Sequence, residues 1–234
     1  MKDVMLWAGA GQIGMAIARR MGTGMKIVVG DKKLENAQAI ARTMNEAGFD
    51  VVPVKMDLSS RESIRNLIAE GQMYGNIKML VNAAGVSPSQ APIEAILKVD
   101  LYGTAVLLEE VGKVIAPGGV GVTISSQSGW RMPALTAEQD AKLATTPTEE
   151  LLGLDFLQPE NIRDVRPHRA KRPAAEWPRG ALHLSCYSGR EDDMVQNLNR
   201  FTMRCHRRVK KLPSSTVVVV VAVVSAAATV SAVL

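Results

Sequence analysis

The sequence predicts a doubly wound α/β fold, in which a parallel sheet carries helices on both faces. Short apolar runs that suit buried strands alternate with amphipathic helical stretches through the first half of the chain. Consecutive strands separated by helices pair in parallel, and right-handed crossovers distribute the helices over both faces. A glycine-rich turn also separates the first strand from the first helix. These observations together set the fold class.

The predicted elements follow one another regularly up to residue 126. The five strands are VMLWAG, KIVVGD, VVPVKMD, KMLVNAAG and VGVTISS, which begin at residues 4, 26, 51, 78 and 120. The helices between them cover residues 12–21, 34–48, 61–75 and 93–116. Pro53 cannot donate a hydrogen bond to a neighbouring strand, so it is predicted near an edge of the sheet or at the start of the third strand. Ser59 or Ser60 is the predicted N-cap of the third helix.

The composition changes near Asn161, which divides the chain into three predicted parts. Residues 1–160 carry 15 Lys/Arg and 18 Asp/Glu, a net charge of −3, whereas residues 161–234 carry 13 and 5, a net charge of +8. Both cysteines and all three histidines follow residue 160, but only two of the 19 glycines do. We predict a folded domain over 1–160, a basic Arg/Pro-containing segment without a regular period over 161–213, and an apolar Val/Ala-rich tail over 214–234.

A glycine loop follows the first strand. GAGQIG places Gly9, Gly11 and Gly14 in the G-x-G-x-x-G spacing of dinucleotide-binding loops. Gly9 would make the tight turn, Gly11 would let the backbone approach a pyrophosphate, and Gly14 would let the helix pack closely. Gln12 and Ile13 begin the helix whose N-terminus would face the phosphates. The alternative is a glycine turn in an α/β protein that binds no nucleotide.

An acidic residue at the end of the second strand favours the dinucleotide interpretation. Asp31 stands 20 residues beyond Gly11, where a carboxylate accepts hydrogen bonds from the adenosine ribose. The same carboxylate repels the additional phosphate of NADP, so NAD is the predicted cofactor and NADP the alternative. Lys32 and Lys33 argue the other way, since their charge could attract that phosphate.

With these motifs the sequence resembles the short-chain dehydrogenase/reductase family. NAAG, residues 82–85, is similar to the family's N-A-G motif, which supports the sheet and lines the cofactor; the residues concerned are Asn82, Ala83, Ala84 and Gly85. MDL is similar to the acidic position beside the adenine, which places Asp57 and Leu58 there. TISSQSG is similar to the end of the fifth strand, where Ser126 would hydrogen-bond the substrate carbonyl. A polar strand end without a catalytic role is the alternative for Ser126.

The resemblance implies more than a fold. It implies a Rossmann-type sheet, a nicotinamide cofactor, an alcohol or ketone substrate and no metal. Family members commonly associate through the fourth and fifth helices, so a homo-oligomer through helix 93–116 is predicted. The family usually has an asparagine where this chain has Asp100. Asp100 could hold a water there, with a surface helix carboxylate as the equal alternative.

The catalytic Tyr-x-x-x-Lys pair of the family has no evident counterpart. YGNIK, from Tyr74 to Lys78, has the spacing but lies before the fourth strand, at the amino end of the sheet, with a predicted turn at Gly75 and Asn76. Ligands bind at the carboxyl ends of parallel strands, so this spacing is interpreted as coincidence. Lys171 resembles the family's lysine, but Pro167 stands four residues before it.

Two hypotheses follow from the missing pair. The first is a dehydrogenase reading frame disrupted near residue 164 and followed by a non-homologous tail, which translation of the gene's other frames would test. Alternatively, the chain is a module that holds NAD without turnover. Either way, the substrate lies beyond what the sequence identifies.

The apolar tail and the number of cysteines lead to predictions about where in the cell the protein is found. Residues 217–234 carry no charge and follow the basic RCHRRVKK, so a C-terminal membrane anchor is one prediction and a segment that forms disordered or aggregating β structure is the alternative. Complete release of the protein by carbonate washing would exclude an anchor. Two cysteines and no signal peptide predict the cytoplasm. Nucleic-acid binding is not favoured, because the basic segment lacks interleaved aromatic residues.

Overall fold

The computed structural model of the chain describes residues 2–87, 90–126, 135–163, 187–189 and 217–224. The five predicted strands are present as β1 Lys2–Ala8, β2 Lys26–Asp31, β3 Asp50–Lys55, β4 Gly75–Asn82 and β5 Val120–Ser126. They pair in parallel in the order β3-β2-β1-β4-β5. The predicted doubly wound α/β class is therefore confirmed, and β3 with Pro53 lies at the edge.

Three helices connect the first four strands: α1 Gln12–Met21, α2 Leu34–Glu46 and α3 Arg61–Tyr74. Ser60 caps α3 and accepts a hydrogen bond from the amide of Ser63, which settles the choice between the two predicted serines. Gly75 and Asn76 belong to β4 rather than to a turn, because the chain passes from α3 directly into the strand.

Two apolar clusters bury the two faces of the sheet. Strand β1 is buried from Val4 to Ala8, and its side chains alternate between the clusters. Leu6 joins residues of α3 and of the helix before β5 on one face. Trp7 joins residues of α1 and α2 on the other. This is why β1 reads as a continuous apolar run, as strands covered on both faces do.

One long helix runs from Ile93 to Gly112 and precedes β5. It consists of α4 Ile93–Ile96, a π-helical turn Leu97–Gly103 and α5 Thr104–Gly112. A π-helical turn shifts the side chains that follow it around the helix axis. The long helix thus presents Val106, Leu107 and Val111 to the sheet.

Residues 135–163 form a layer against the other side of the long helix. The layer contains α6 Ala137–Thr145, 3₁₀ turns at Thr148–Gly153 and Asp155–Leu157, and α7 Pro159–Arg163. A third apolar cluster joins Ile93, Leu97 and Leu101 of the long helix to four residues of the layer: Leu143, Leu151, Leu157 and Ile162. This apolar side of the helix through which a homo-oligomer is predicted is therefore buried within the chain.

Charged residues tie the same elements together. Arg61 at the start of α3 pairs with Glu109 at 3.0 Å, with Glu149 at 2.6 Å and with Glu110. Arg65 and Lys113 also pair with Glu110, whose side chain is only 8% exposed. Pairing with Arg61 lowers the pKa of Glu109 to about 2, and pairing with Arg65 does the same for Glu110.

Two further strands, not predicted from the sequence, join the sheet. Strand β7, Val217–Val224, pairs in parallel with β5, and β6, Tyr187–Gly189, pairs antiparallel with β7. Part of the apolar tail is thus β structure, while residues 225–234 lie outside the described residues. Within the described part of the chain, no helix combines the length and apolar character needed to cross a bilayer.

Replacement of Arg61 by Met is expected to lower the free energy of unfolding by about 1–3 kcal/mol at pH 7. The reason is that Glu110 loses one of its partners and Glu149 is no longer tied to α3. Urea unfolding measures the loss, and Arg42→Met, at an exposed arginine of α2, is the matched control.

The effect of Arg61→Met has a defined pH dependence. The pKa values of Glu109 and Glu110 are depressed to about 2, so the ion pairs contribute fully above the ordinary value of 4.5 and are lost as pH falls toward 2. The difference between variant and wild type should shrink over that window. A difference that stays constant from pH 5 to pH 2 would contradict the ionic origin.

Candidate functional site

The glycine loop after β1 packs tightly against the segment after β4. Gly9 has a φ of +87°, a left-handed conformation that favours glycine, and its amide donates to Gly30 O at 2.8 Å. A Cβ on Gly9 would lie 2.5 Å from the backbone of Ala84. The amide of Ala83 donates to Ala8 O at 2.8 Å, so the carboxyl ends of β1 and β4 are joined.

The other two glycines of the motif differ from each other in their surroundings. A Cβ on Gly14 would lie 2.1 Å from Nε1 of Trp7, so α1 packs on β1 only because residue 14 has no side chain. Among the described residues, none has an atom within 4 Å of a Cβ built on Gly11. Gly11 is the N-cap of α1 and has an extended conformation. The loop therefore borders open space beside the N-terminus of α1, where Gln12 and Ile13 are the first helical residues. Free amides and partial positive charge make that position suitable for phosphate.

Asp31 is the last residue of β2, and its carboxylate lies against the loop. Oδ2 accepts a hydrogen bond from the amide of Ala10 at 3.0 Å. Oδ1 accepts hydrogen bonds from the amide of Lys33 at 2.9 Å and from Nδ2 of Asn36 at 3.2 Å. Asp31 therefore orients the glycine loop and places negative charge at the edge of the candidate site.

Asp57 follows β3 and lies at the same end of the sheet. Its Oδ1 accepts from the amide of Ser59 at 2.9 Å and from the Ser59 hydroxyl at 2.7 Å. Its Oδ2 pairs with Nζ of Lys32 at 3.0 Å. Burial alone would raise the pKa of Asp57, but the Ser59 hydrogen bonds and the Lys32 charge outweigh it and lower the pKa. Leu58, the other residue predicted beside the adenine, has a buried side chain in the apolar core.

The NAAG segment continues from β4. Asn82 is 1% exposed and donates through Nδ2 to Oγ1 of Thr104 on the long helix at 3.3 Å. Ala83 and Ala84 are half-buried, and Gly85 is exposed. Asn82 thus fixes the end of β4 to the long helix, while the next residues border the glycine loop.

Asp100 lies beneath this segment, in the π-helical turn. Its Oδ1 accepts a hydrogen bond from the amide of Val86 at 3.0 Å and would lie 3.2 Å from a Cβ on Gly85. Burial raises the pKa of Asp100 to about 7, and the hydrogen bond from Val86 only partly opposes the shift. Asp100 is therefore a half-buried carboxyl beside the candidate site rather than a surface helix carboxylate.

Ser126 and the predicted lysine differ in how far the structure describes them. Ser126 is the last residue of β5 and lies three positions beyond Thr123, which pairs with Asn82 at the end of β4. Its backbone is thus at the carboxyl end of the sheet, the same end as the glycine loop. Lys171 and Pro167 lie outside the described residues. Among the residues that are described, no three His, Cys, Asp or Glu side chains group so that they could hold a metal ion.

The YGNIK pair lies at the other end of the sheet, as predicted. Tyr74 ends α3 and its hydroxyl donates to Oε1 of Glu70 at 2.8 Å, which raises the pKa of Tyr74. Lys78 lies within β4 and donates to Pro117 O at 2.8 Å. A tyrosine that takes a proton from an alcohol needs a lowered pKa, so the shift runs against a catalytic role.

Comparison with protein families identifies the class of protein. The family model described as short chain dehydrogenase matches residues 2–147. This match covers more than half of the chain, and the chain belongs to the short-chain dehydrogenase/reductase family. The predicted membership is confirmed for the N-terminal part, and proteins of this family bind nicotinamide dinucleotides.

Particular relatives share the same region. A short-chain dehydrogenase/reductase of Alternaria brassicicola is 36% identical over 162 residues, which cover 67% of this chain and 57% of the relative. Tropinone reductase-like 3 of Erythroxylum coca is 27% identical over 146 residues, covering 58% of this chain and 57% of the relative. The chain thus spans somewhat more than half the length of these curated relatives.

Solved structures give a similar picture. A short-chain dehydrogenase/reductase of Serratia marcescens aligns with a TM-score of 0.48 and 23% identity, covering 54% of this chain and 56% of the other. A short-chain dehydrogenase/reductase of Burkholderia phymatum, in complex with NAD, aligns with a TM-score of 0.49 and 22% identity, covering 55% and 50%.

Replacement of Asp100 by Asn is expected to raise the free energy of unfolding by about 1–3 kcal/mol above pH 7. The amide retains an acceptor for the Val86 amide but never has to ionise in a half-buried position. The pKa of Asp100 is about 7 in the fold against an ordinary 3.8, so wild-type stability falls as pH rises from about 4 to about 7 and the variant lacks that fall.

Urea unfolding of both proteins between pH 5 and pH 8.5 measures this difference. Asp3→Asn, at an exposed aspartate of β1, controls for the loss of one negative charge. Parallel pH profiles for Asp100→Asn and wild type would contradict the expectation, since they would mean that the carboxyl ionises in the fold as readily as in the unfolded chain.

Proposed function

We propose that this chain binds NAD across the carboxyl ends of β1 and β4. The observation that carries the proposal is the open space beside Gly11, which a Cβ would enter without meeting another atom within 4 Å. Gly9, Gly11 and Gly14 then have the roles predicted for them, and the amides of Gln12 and Ile13 face the pyrophosphate. The ends of β1 and β4 are also where the strand order reverses, the usual crevice for ligands in such sheets.

The preference for NAD over NADP rests on charge. Asp31 and Asp57 bring two carboxylates to the adenine end, and Lys32 is paired with Asp57. A 2′-phosphate would therefore meet net negative charge, whereas a ribose hydroxyl can donate a hydrogen bond to Asp31. Asp57 and Leu58 contribute the adenine side, and the residues Asn82, Ala83, Ala84 and Gly85 line the cofactor between the adenine and the nicotinamide.

The reaction proposed for this fold is that of an alcohol or ketone oxidoreductase. NAD, when bound, would accept a hydride from the carbinol carbon of an alcohol. Ser126, at the end of β5, would hydrogen-bond the substrate oxygen and hold it in place while its proton leaves to a base. That base is not assigned to a residue of this chain, since Tyr74 and Lys78 lie at the other end of the sheet and Lys171 lies outside the described residues.

A second candidate function is dinucleotide binding without turnover. It is favoured by the position of the chain's one Tyr-x-x-x-Lys, because Tyr74 and Lys78 lie at the end of the sheet opposite the glycine loop. NAD binding with no NADH formation from a panel of alcohols would support this second candidate. Measurable turnover would support the oxidoreductase.

Replacement of Gly11 by Val is expected to weaken NAD binding at least about 30-fold, or about 2 kcal/mol. The fold has room for the side chain, but the side chain would fill the path of the pyrophosphate. Isothermal titration calorimetry measures binding and circular dichroism checks folding. Gly153→Val is the matched control, since a Cβ at that glycine also meets nothing within 4 Å. An unchanged dissociation constant for Gly11→Val would refute the placement of the cofactor.

Replacement of Asp31 by Ala is expected to relax the preference for NAD about tenfold, or about 1.4 kcal/mol. NAD binding itself should also weaken, because the carboxylate orients the amide of Ala10 in the glycine loop. Paired titrations with NAD and NADP measure the ratio, and Asp3→Ala controls for charge. An unchanged ratio would contradict the assignment of Asp31 to the ribose.

Other expectations from the sequence stay predictions. They are association through helix 93–116, membrane contact through the tail, a cytoplasmic location and a domain boundary near residue 160. The packing of residues 135–163 on the long helix supports that boundary.

A further inference from the structure

At the adenine end of the candidate site, the basic side chain of Lys32 lies beside two acidic residues. Asp31 ends β2, Lys32 follows it, and Asp57 follows the neighbouring strand β3. The ends of these strands are adjacent, since Asp31 pairs with Lys55 and the amide of Met56 donates to Asp31 O at 2.9 Å. This register brings Nζ of Lys32 within 3.0 Å of Oδ2 of Asp57.

We propose that Asp57 is a positioning residue for cofactor preference, because it holds the Lys32 ammonium on its own carboxylate and away from a nucleotide 2′-phosphate. The inference rests on the proposed NAD binding and deepens it. Lys32 directly follows Asp31, so it is the cation nearest in sequence to the proposed ribose position. A 2′-phosphate would have to compete with Asp57 for this ammonium.

Among the charged groups at this end, Lys32 is the one that can exchange its partner, from the Asp57 carboxylate to a nucleotide phosphate. The Asp31 carboxylate accepts hydrogen bonds from the amides of Ala10 and Lys33 and from Asn36, which hold it in place. The remaining oxygen of Asp57 is held by Ser59, which fixes the carboxylate in place. Lys32 itself is anchored by its side chain to Asp57 alone among the contacts described for it.

Exposure limits the size of the effect. The side chain of Lys32 is 72% exposed and that of Asp57 is 33% exposed, so water and salt screen the pair. Ion pairs of this kind shift an equilibrium by roughly two- to fivefold. Asp57 is therefore expected to modulate a preference that Asp31 sets.

The test is a double-mutant cycle on the full chain with NAD and NADP as probes. Asp57→Asn, which keeps an acceptor for Ser59, is expected to raise the affinity for NADP relative to NAD by about two- to fivefold at low salt. The gain should disappear in Asp57→Asn combined with Lys32→Met, and it should shrink at about 0.5 M salt. Calorimetric titration measures both dissociation constants without requiring turnover.

A matched control removes a similar interaction at the opposite end of β3. Asp50 pairs with Lys2 and Lys26, so Asp50→Asn makes the same change of charge and also breaks ion pairs. It should leave the NADP to NAD ratio unchanged. If Asp57→Asn does not fold, Asp57→Ser replaces it, because a hydroxyl also accepts a hydrogen bond from Ser59.

The outcomes separate this inference from the proposed function. If the wild-type chain binds neither nucleotide, both fail. If it binds NAD but Asp57→Asn leaves the ratio unchanged, only this inference fails. If the gain persists without Lys32, Asp57 acts through its own charge and the positioning role is overturned.

Discussion

The close approach of the glycine loop to the end of β4 is the constraint on which the candidate site depends. Gly9 lies so near Ala84 that no side chain fits between them, and the amide of Ala83 donates to Ala8 O. The two strands meet where the order of the sheet reverses, with β2 and β3 on one side and β5 on the other. The helices that follow β1 and β4 must therefore diverge, and the space beside Gly11 lies between their connections.

The two sides of the space beside Gly11 differ in electrostatic potential. Amides at the start of α1 present positive potential where the loop opens, whereas Asp31 and Asp57 present negative charge at the outer strands. Asp31 contributes to both parts of the space. Its carboxylate provides negative charge at the outer strands, and the same carboxylate accepts the hydrogen bond from Ala10 that fixes the glycine loop. A substitution at Asp31 cannot separate cofactor preference from loop geometry, whereas substitutions at Lys32 and Asp57 can.

The sequence predicted those features that depend on local pattern. Apolar runs and helical periodicity indicated the five strands and the helices between them, and the spacing of three glycines indicated the loop after β1. Each of these signals lies within one element or one loop. It did not predict the contacts that need the register of neighbouring strands, such as the pair between Lys32 and Asp57. It also missed β7, since a run of valines carries no period that separates a strand from an anchor. The exchange of asparagine for Asp100 was visible, but its burial depends on the π-helical turn and on Val86.

The residues proposed to bind the cofactor all precede β5. Among the residues whose side chains the structure describes, the two apolar clusters on the faces of the sheet include none beyond Val120. The layer of residues 135–163 packs on the far side of the long helix through its own cluster and through Glu149. The proposed cofactor site thus rests on two apolar clusters formed mainly by β1 to β4 and the helices that follow them, and not on the third cluster between the long helix and residues 135–163.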